Sequence, residues 1–181
     1  MQKLYLFFFK LFGWNYDISV EIPDKCVFCA APHTSNWDYI FGFLFYKSVV
    51  NGKLHILAKK ELFFFPFNHL FKAMGCIPVD RKKKTSIADQ MVELFRSASC
   101  LHLAIAPEGT RKRNAHWKSG FYYIALNAGV PITLASIDYA KKEIAVKKIF
   151  YPTGNTHPDI EEIKNYYKDV RAKYPKQFAI K

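Results

Sequence analysis

The chain has 181 residues, half of them hydrophobic, which fits one domain with a substantial core and argues against a second domain. Lys and Arg number 27 against 15 Asp and Glu, so the formal net charge is +12. This charge favours an anionic partner: a nucleic acid, a phosphate-bearing small molecule or an acidic membrane surface.

An apolar run occupies residues 4–14, but it is short and Lys10 interrupts it. Since a helix needs about 20 apolar residues to cross a bilayer, this run cannot span a membrane by itself. The residues that follow lack the small-residue pattern of a signal-peptide cleavage site. We therefore predict a membrane-interface segment with a hydrophobic helix at residues 1–16, followed by one domain at residues 17–181.

Seven short runs predict strands, at residues 18–22, 26–31, 54–58, 76–79, 101–106, 132–139 and 144–150. Apolar side chains at helical spacing predict helices within residues 37–48, 87–95, 121–127 and about 159–173. Strands that alternate with helices predict a single-domain α/β fold, in which a mixed, largely parallel β-sheet is flanked by helices. In such sheets, functional sites gather at the carboxyl ends of the strands.

The cysteines bear on metal binding. Cys26 and Cys29 have the spacing of a zinc pair, but no second close pair of Cys or His completes four ligands. We therefore expect no metal, and we expect all four cysteines, including Cys76 and Cys100, to be reduced thiols. Reduced thiols favour a cytosolic compartment.

The strand at 26–31 leads into His33, which should stand at a carboxyl end just before a helix. A histidine there can act as a general base. Asp38 follows five positions later, and it can meet His33 only if His33 precedes the helix and Asp38 lies in its first turn. The alternative is structural: Ser35 and Asp38 also have the spacing of a helix capping box.

The strand at 101–106 leads into Glu108, Gly109, Thr110 and Arg111. Gly109 permits close backbone approach, Thr110 can donate a hydrogen bond, and Arg111 can grip a phosphate with two donors. The alternative is an ordinary turn with a solvated basic face.

Two other cations follow predicted elements. Arg81 comes after the strand at 76–79 and would give, with Arg111, two cations for one phosphate, although a solvated run of charges is the alternative. Lys118 lies at a predicted helix start, where it could reach a phosphate or simply be exposed.

In this order, these blocks resemble the motifs of the glycerolipid acyltransferase family, which contains the bacterial lysophosphatidic acid acyltransferases. His33 and Asp38 match its signature of His, four residues and Asp. Residues 75–81 match the second block, residues 108–111 the third and residues 129–132 the fourth.

The resemblance implies the fold of the glycerol-3-phosphate acyltransferases, with acyl transfer from coenzyme A or acyl carrier protein to a lysophospholipid hydroxyl. It implies no bound cofactor and no covalent acyl-enzyme. By analogy His33 is the base, Asp38 orients it, and Pro131 helps to shape the acyl site. The acceptor would be held by Arg81, Glu108, Gly109, Thr110 and Arg111, with Lys118 as a further candidate.

The acceptor is left open, because Pro32 precedes His33 where better-studied members commonly have Asn. We expect 1-acylglycerol 3-phosphate, in phospholipid biosynthesis, and the alternative is another lysolipid such as an acyl amino acid lipid.

The expected location is the inner face of the cell membrane, where the chain would bind peripherally through residues 4–14 and its basic surface. A nucleic-acid binder would explain the charge, but no recognition helix, zinc finger or aromatic RNA-binding signature is present, so no nucleic acid is expected. A non-catalytic lipid-binding module would have no use for His33, Asp38 and Glu108 at strand ends.

Overall fold

Seven strands form one sheet in the computed structural model, which describes residues 1–50, 52–79 and 86–180. The strands are β1 (Asn15–Ile18), β2 (Lys25–Ala31), β3 (Leu54–Lys59), β4 (Cys76–Val79), β5 (Leu101–Ile105), β6 (Ile132–Asp138) and β7 (Glu143–Phe150). Their order is β1-β7-β6-β2-β5-β3-β4. Every neighbouring pair is parallel except β6 and β7, which confirms the prediction of a mixed, largely parallel sheet.

Six helices accompany the sheet in the part of the chain that the structure describes: α1 (Gln2–Leu11), α2 (Asn36–Val49), α3 (Phe67–Ala73), α4 (Ile87–Ser97), α5 (Gly120–Ala128) and α6 (Thr156–Tyr166). The longest, α2, has 14 residues and is about 21 Å long. No helix in the described ranges combines the length and hydropathy that a membrane span requires.

Alternation along β2 shows how the sheet is covered on both faces. Val27 and Cys29 belong to the core cluster beneath α4, α5 and α6, whereas Cys26 and Phe28 belong to the cluster beneath α1 and α2. Successive side chains of a strand point to opposite faces, so a central strand with two covered faces becomes apolar throughout. This explains the continuous apolar run that the sequence shows at residues 26–31.

The structure differs from the predicted elements at three places. β1 covers Asn15–Ile18 rather than residues 18–22, because its pairing with β7 ends near Ile18. α6 ends at Tyr166 rather than near residue 173, and the next residue, Tyr167, is buried and donates a hydrogen bond to the carbonyl of Cys29. The helix α3 was not predicted.

The helix α1 packs against α2 instead of standing apart from the domain. Phe9 is buried, with its ring 6.4 Å from that of Phe45, and Tyr5 lies 6.0 Å from Phe43 between ring centroids. The opposite side of α1 leaves Phe7 and Leu11 exposed. One apolar side of α1 therefore packs against the domain, and the other apolar side faces solvent.

Because β2, β5 and β6 are parallel, their carboxyl ends lie at the same edge of the sheet. The loops that leave this edge begin with Pro32, Ala106 and Tyr139. They bring together three stretches of sequence that are separated by 33 to 107 residues.

Candidate active site

His33 and Asp38 meet at this edge of the sheet. His33 follows β2, Asp38 lies in the first turn of α2, and the His33 Nδ1 is 3.3 Å from the Asp38 Oδ2. Asp38 is 2% exposed and His33 is 29% exposed. Since the Nδ1 faces the carboxylate, the Nε2 is the ring nitrogen that remains to act on a substrate.

Asp38 also completes the predicted capping box, so the structural and the catalytic interpretation are compatible. Its Oδ2 accepts hydrogen bonds of 2.7 Å from the backbone N–H groups of Thr34 and Ser35, while the Ser35 hydroxyl accepts from the N–H of Trp37. The cap fixes the start of α2, and with it the carboxylate that His33 contacts.

Tyr139 is a further member of this group that the sequence analysis missed. It follows β6, and its hydroxyl donates a 2.6 Å hydrogen bond to the Oδ1 of Asp38. Its position at the carboxyl end of a predicted strand was the available signal. Burial by itself raises the pKa of Asp38, but hydrogen bonds from the His33 ring, the Tyr139 hydroxyl and two backbone N–H groups outweigh it and lower that pKa below its ordinary value.

Glu108 supports the loop that carries His33. It is 3% exposed, and its Oε1 accepts a 2.8 Å hydrogen bond from the backbone N–H of His33. Its Oε2 is buried without a hydrogen-bond partner among the described residues. Burial raises the pKa of this carboxyl above its ordinary value, despite the donor from His33.

Arg111 lies close to the start of α2. Its guanidinium donates to the side-chain oxygen of Asn36, another residue that the sequence analysis did not single out. Thr110 is exposed, and its hydroxyl accepts a hydrogen bond from the backbone N–H of Lys112.

Gly109 and Lys118 are adjacent in space. Gly109 has φ +66°, and a Cβ there would lie 2.8 Å from the Cδ of Lys118. The backbone N–H of Lys118 donates to the carbonyl of Pro107. The glycine therefore makes room for the lysine side chain, which is exposed at this edge of the sheet.

One predicted site residue, Pro131, is not brought to His33. Pro131 accepts a hydrogen bond from the N–H of Val27 and lies at the amino end of β6, about 17 Å along the strand from Ser136, which pairs with Ala31 at the edge that holds His33. Arg81 lies outside the described residues. The block at residues 75–81 begins with Gly75, and the backbone there requires a glycine. Its φ is +80°, and a Cβ would lie 2.1 Å from the carbonyl oxygen of Leu54.

An apolar cavity of about 450 Å³ opens beside His33 and Asp38, between α2 and the sheet. Small residues leave this space: Gly42 on α2 faces Ala30, Ala104 and Ala135 on three strands. A volume of this size lies within the range of small-molecule sites, ~300–1,000 Å³. The arrangement thus places His33, a side chain that can act as a general base, in the lining of a cavity suited to an apolar group.

Comparison with known proteins supports this chemistry. The model of a protein family described as Acyltransferase matches residues 16–137, which is more than half of the chain. The match includes β2, β5, His33, Asp38, Glu108 and Arg111, and it ends before Tyr139. No curated protein and no solved structure matches the chain.

Replacing Tyr139 with Phe should lower the free energy of unfolding by about 1–3 kcal/mol near pH 7, because a hydrogen bond to a charged acceptor is lost. The folded-state pKa of Asp38 is lowered, so this stabilisation is present above the unfolded-state pKa, ~3.9, and is lost as the pH falls through the folded-state value. Urea unfolding of both proteins across this range should show the difference shrinking towards acid.

Tyr39→Phe is the matched control, because the Tyr39 hydroxyl is buried without a hydrogen-bond partner among the described residues. This variant should show little loss at any pH. A loss in Tyr139→Phe that stayed constant from neutral to acid pH would contradict the coupling to Asp38.

Proposed function

The chain belongs to the acyltransferase family that contains the glycerolipid acyltransferases, and we propose that it transfers a fatty acyl group from a thioester of coenzyme A or acyl carrier protein to a lysophospholipid hydroxyl. The acceptor that we propose first is 1-acylglycerol 3-phosphate, in phospholipid biosynthesis. The observation that carries the proposal is the contact of His33 with Asp38 at the mouth of an apolar cavity.

In the proposed reaction, the His33 Nε2 removes the proton of the acceptor hydroxyl as its oxygen attacks the thioester carbonyl. Asp38, buried and hydrogen-bonded, stabilises the imidazolium that forms. The tetrahedral intermediate expels the thiolate, which takes the proton from the imidazolium. The products are an ester and a free thiol, and His33 returns to its neutral form.

The apolar cavity would hold the acyl chain. Its lining is mostly aliphatic and aromatic, and His33 lies at the end where the thioester must stand. Each buried methylene contributes about 0.8 kcal/mol, so a slot of this kind favours long acyl chains. The chain's own residues supply these steps, and no bound cofactor is proposed.

Arg111 supports an anionic acceptor. It lies beside Asn36 at the start of α2, two positions from Asp38. A phosphate held there would keep the hydroxyl of a lysophospholipid within reach of His33. The fork of a guanidinium suits a phosphomonoester better than an uncharged acceptor.

Exposed apolar side chains support docking on an anionic membrane at the cytoplasmic face. Phe7 and Leu11 are exposed on α1, and the chain leaves β3 towards Phe64 and Phe65, which are also exposed. β3 is parallel to β5, so it ends at the edge that holds His33. Exposed apolar side chains together with a net charge of +12 supply the two signals that stable interfacial binding needs.

His33→Ala should lower the rate of acyl transfer by about 10²- to 10⁴-fold, because it removes the general base. The assay is release of free thiol from an acyl thioester with 1-acylglycerol 3-phosphate as acceptor. His116→Ala, at an exposed histidine, is the control and should keep wild-type activity. Unchanged transfer by a folded His33→Ala variant would refute the proposed base.

Ala104→Leu should shorten the acyl chains that the enzyme accepts. The larger side chain fills part of the cavity, so acyl chains long enough to reach it should lose about 2 kcal/mol of binding free energy. This corresponds to a roughly 30-fold lower affinity. Competition between long-chain and acetyl thioesters measures the change, and retained acetyl transfer shows that the variant is folded. Ala73→Leu, at an exposed position of α3, should leave the selectivity unchanged, and an equal effect of both variants would argue against the acyl site.

The double variant Phe7→Glu, Leu11→Glu should bind anionic vesicles more weakly in co-sedimentation, because two exposed apolar side chains become charged. Tyr151→Glu is the control, since Tyr151 is 68% exposed and follows the end of β7 at the opposite edge of the sheet. Wild-type binding by the double variant would show that α1 is not the docking element.

A further inference from the structure

A second cavity, of about 430 Å³, lies beside the loop that carries His33. One wall is the start of α2, with Asn36 and Trp37, and a second is the loop after β5, with Arg111 and Lys112. Asn36 also lines the apolar cavity, so the two spaces adjoin at this residue. No acidic residue is among the described residues that line the second cavity.

The third wall is formed by Tyr174 and Gln177 of the C-terminal segment 173–177, which lies beyond the end of the family match at residue 137. The backbone N–H of Tyr174 donates to the Thr34 hydroxyl at 3.3 Å. With its amide oriented to donate, Gln177 lies 3.1 Å from the carbonyl oxygen of Thr34 and 2.8 Å from that of Arg111. These contacts attach the segment to both of the other walls.

Lys173 brings a third cation close to two aromatic rings that line this cavity. Its Nζ lies 4.9 Å from the ring centroid of Trp37 and 6.0 Å from that of Tyr174, and both rings line the cavity. The ring of Tyr139 is 5.9 Å away. No acidic side chain of the described residues forms an ion pair with Lys173. Contacts with aromatic faces hold an ammonium in place and leave its donors available to an anion.

We propose that the C-terminal segment completes a phosphate-ester site in this cavity and that Lys173 is a specificity-determining residue of it. This inference rests on the proposed function for the identity of the substrates, but the site itself is defined by the cavity, the two cations that line it and the Lys173 ammonium beside two of its rings. Arg111 and Lys112 contribute from one side, and Lys173 from the other.

Two substrates could supply the phosphate ester. One is the headgroup of a lysophospholipid acceptor, and the other is the coenzyme A or phosphopantetheine part of the donor. Both must reach His33 in the apolar cavity, which adjoins the second cavity at Asn36, so both would pass Asn36 and Arg111. The shared chemistry is a phosphate ester next to a reacting group that lies at His33.

Binding can be measured without catalysis, because Trp37 reports on the cavity. It is 42% exposed, whereas Trp14 and Trp117 are buried. Glycerol 3-phosphate should change the intrinsic fluorescence in a saturable way, and glycerol should not. Lys173→Gln should weaken this binding about tenfold through loss of a charged hydrogen bond. Lys176→Gln, an exposed cation of the same segment, should leave it unchanged, and Trp37→Phe should remove the signal.

Kinetics then identify the source of the phosphate. A KM for 1-acylglycerol 3-phosphate that rises about tenfold in Lys173→Gln, with kcat and the KM for monoacylglycerol unchanged, would assign the site to the acceptor. A rise in the KM for acyl-coenzyme A that is absent with an N-acetylcysteamine thioester would assign it to the donor. Either result supports the proposal.

Equal behaviour of folded Lys173→Gln and Lys176→Gln in both the fluorescence and the kinetic measurements would overturn the proposal and leave the acyltransferase function untouched. A wild-type protein that transferred no acyl group, yet bound glycerol 3-phosphate through Lys173, would refute the proposed function and support the anion site.

Discussion

The buried carboxylate of Asp38 is the group around which this edge of the molecule is organised. A carboxylate that is 2% exposed must replace the water that it has lost with hydrogen-bond donors. It finds them in the backbone N–H groups of Thr34 and Ser35, in the Tyr139 hydroxyl and in the His33 ring. The same four donors fix the start of α2, the end of β6 and the orientation of the histidine. Satisfying one buried charge therefore assembles the candidate site.

The loop that carries His33 is held from its other side by Glu108. One carboxylate oxygen of Glu108 accepts a hydrogen bond from the backbone N–H of His33. Glu108 therefore contacts the loop and does not face solvent. Two buried acidic side chains, one in the first turn of α2 and one after β5, thus fix the position of one partly exposed histidine. Such support from neighbouring groups is what a general base needs in order to meet a hydroxyl in the right geometry.

The two cavities near His33 differ in polarity. The space between α2 and the sheet is apolar, because small side chains face each other there, and the space near Arg111 and Lys112 is cationic. They meet at Asn36, six positions before Gly42, which helps to leave space for the apolar cavity. An acyl chain is apolar and a phosphate ester is anionic, so the two cavities match the two parts of the substrates in the proposed reaction.

The sequence by itself determined what depends on local patterns. The apolar alternation indicated the parallel strands, the spacing of Ser35 and Asp38 indicated the helix cap, and the order of blocks around His33 and Arg111 indicated the family. Only the tertiary structure decided the contacts of Tyr139 with Asp38, of Glu108 with the His33 backbone, and of the segment 173–177 with the loop that carries His33. These partners are 75 to 140 residues apart, and strand order, which has no local signature, brings them together. Strand direction likewise has to be read from the fold. Pro131 belongs to a motif of the family, but it lies at the amino end of β6, at the opposite edge of the sheet from His33.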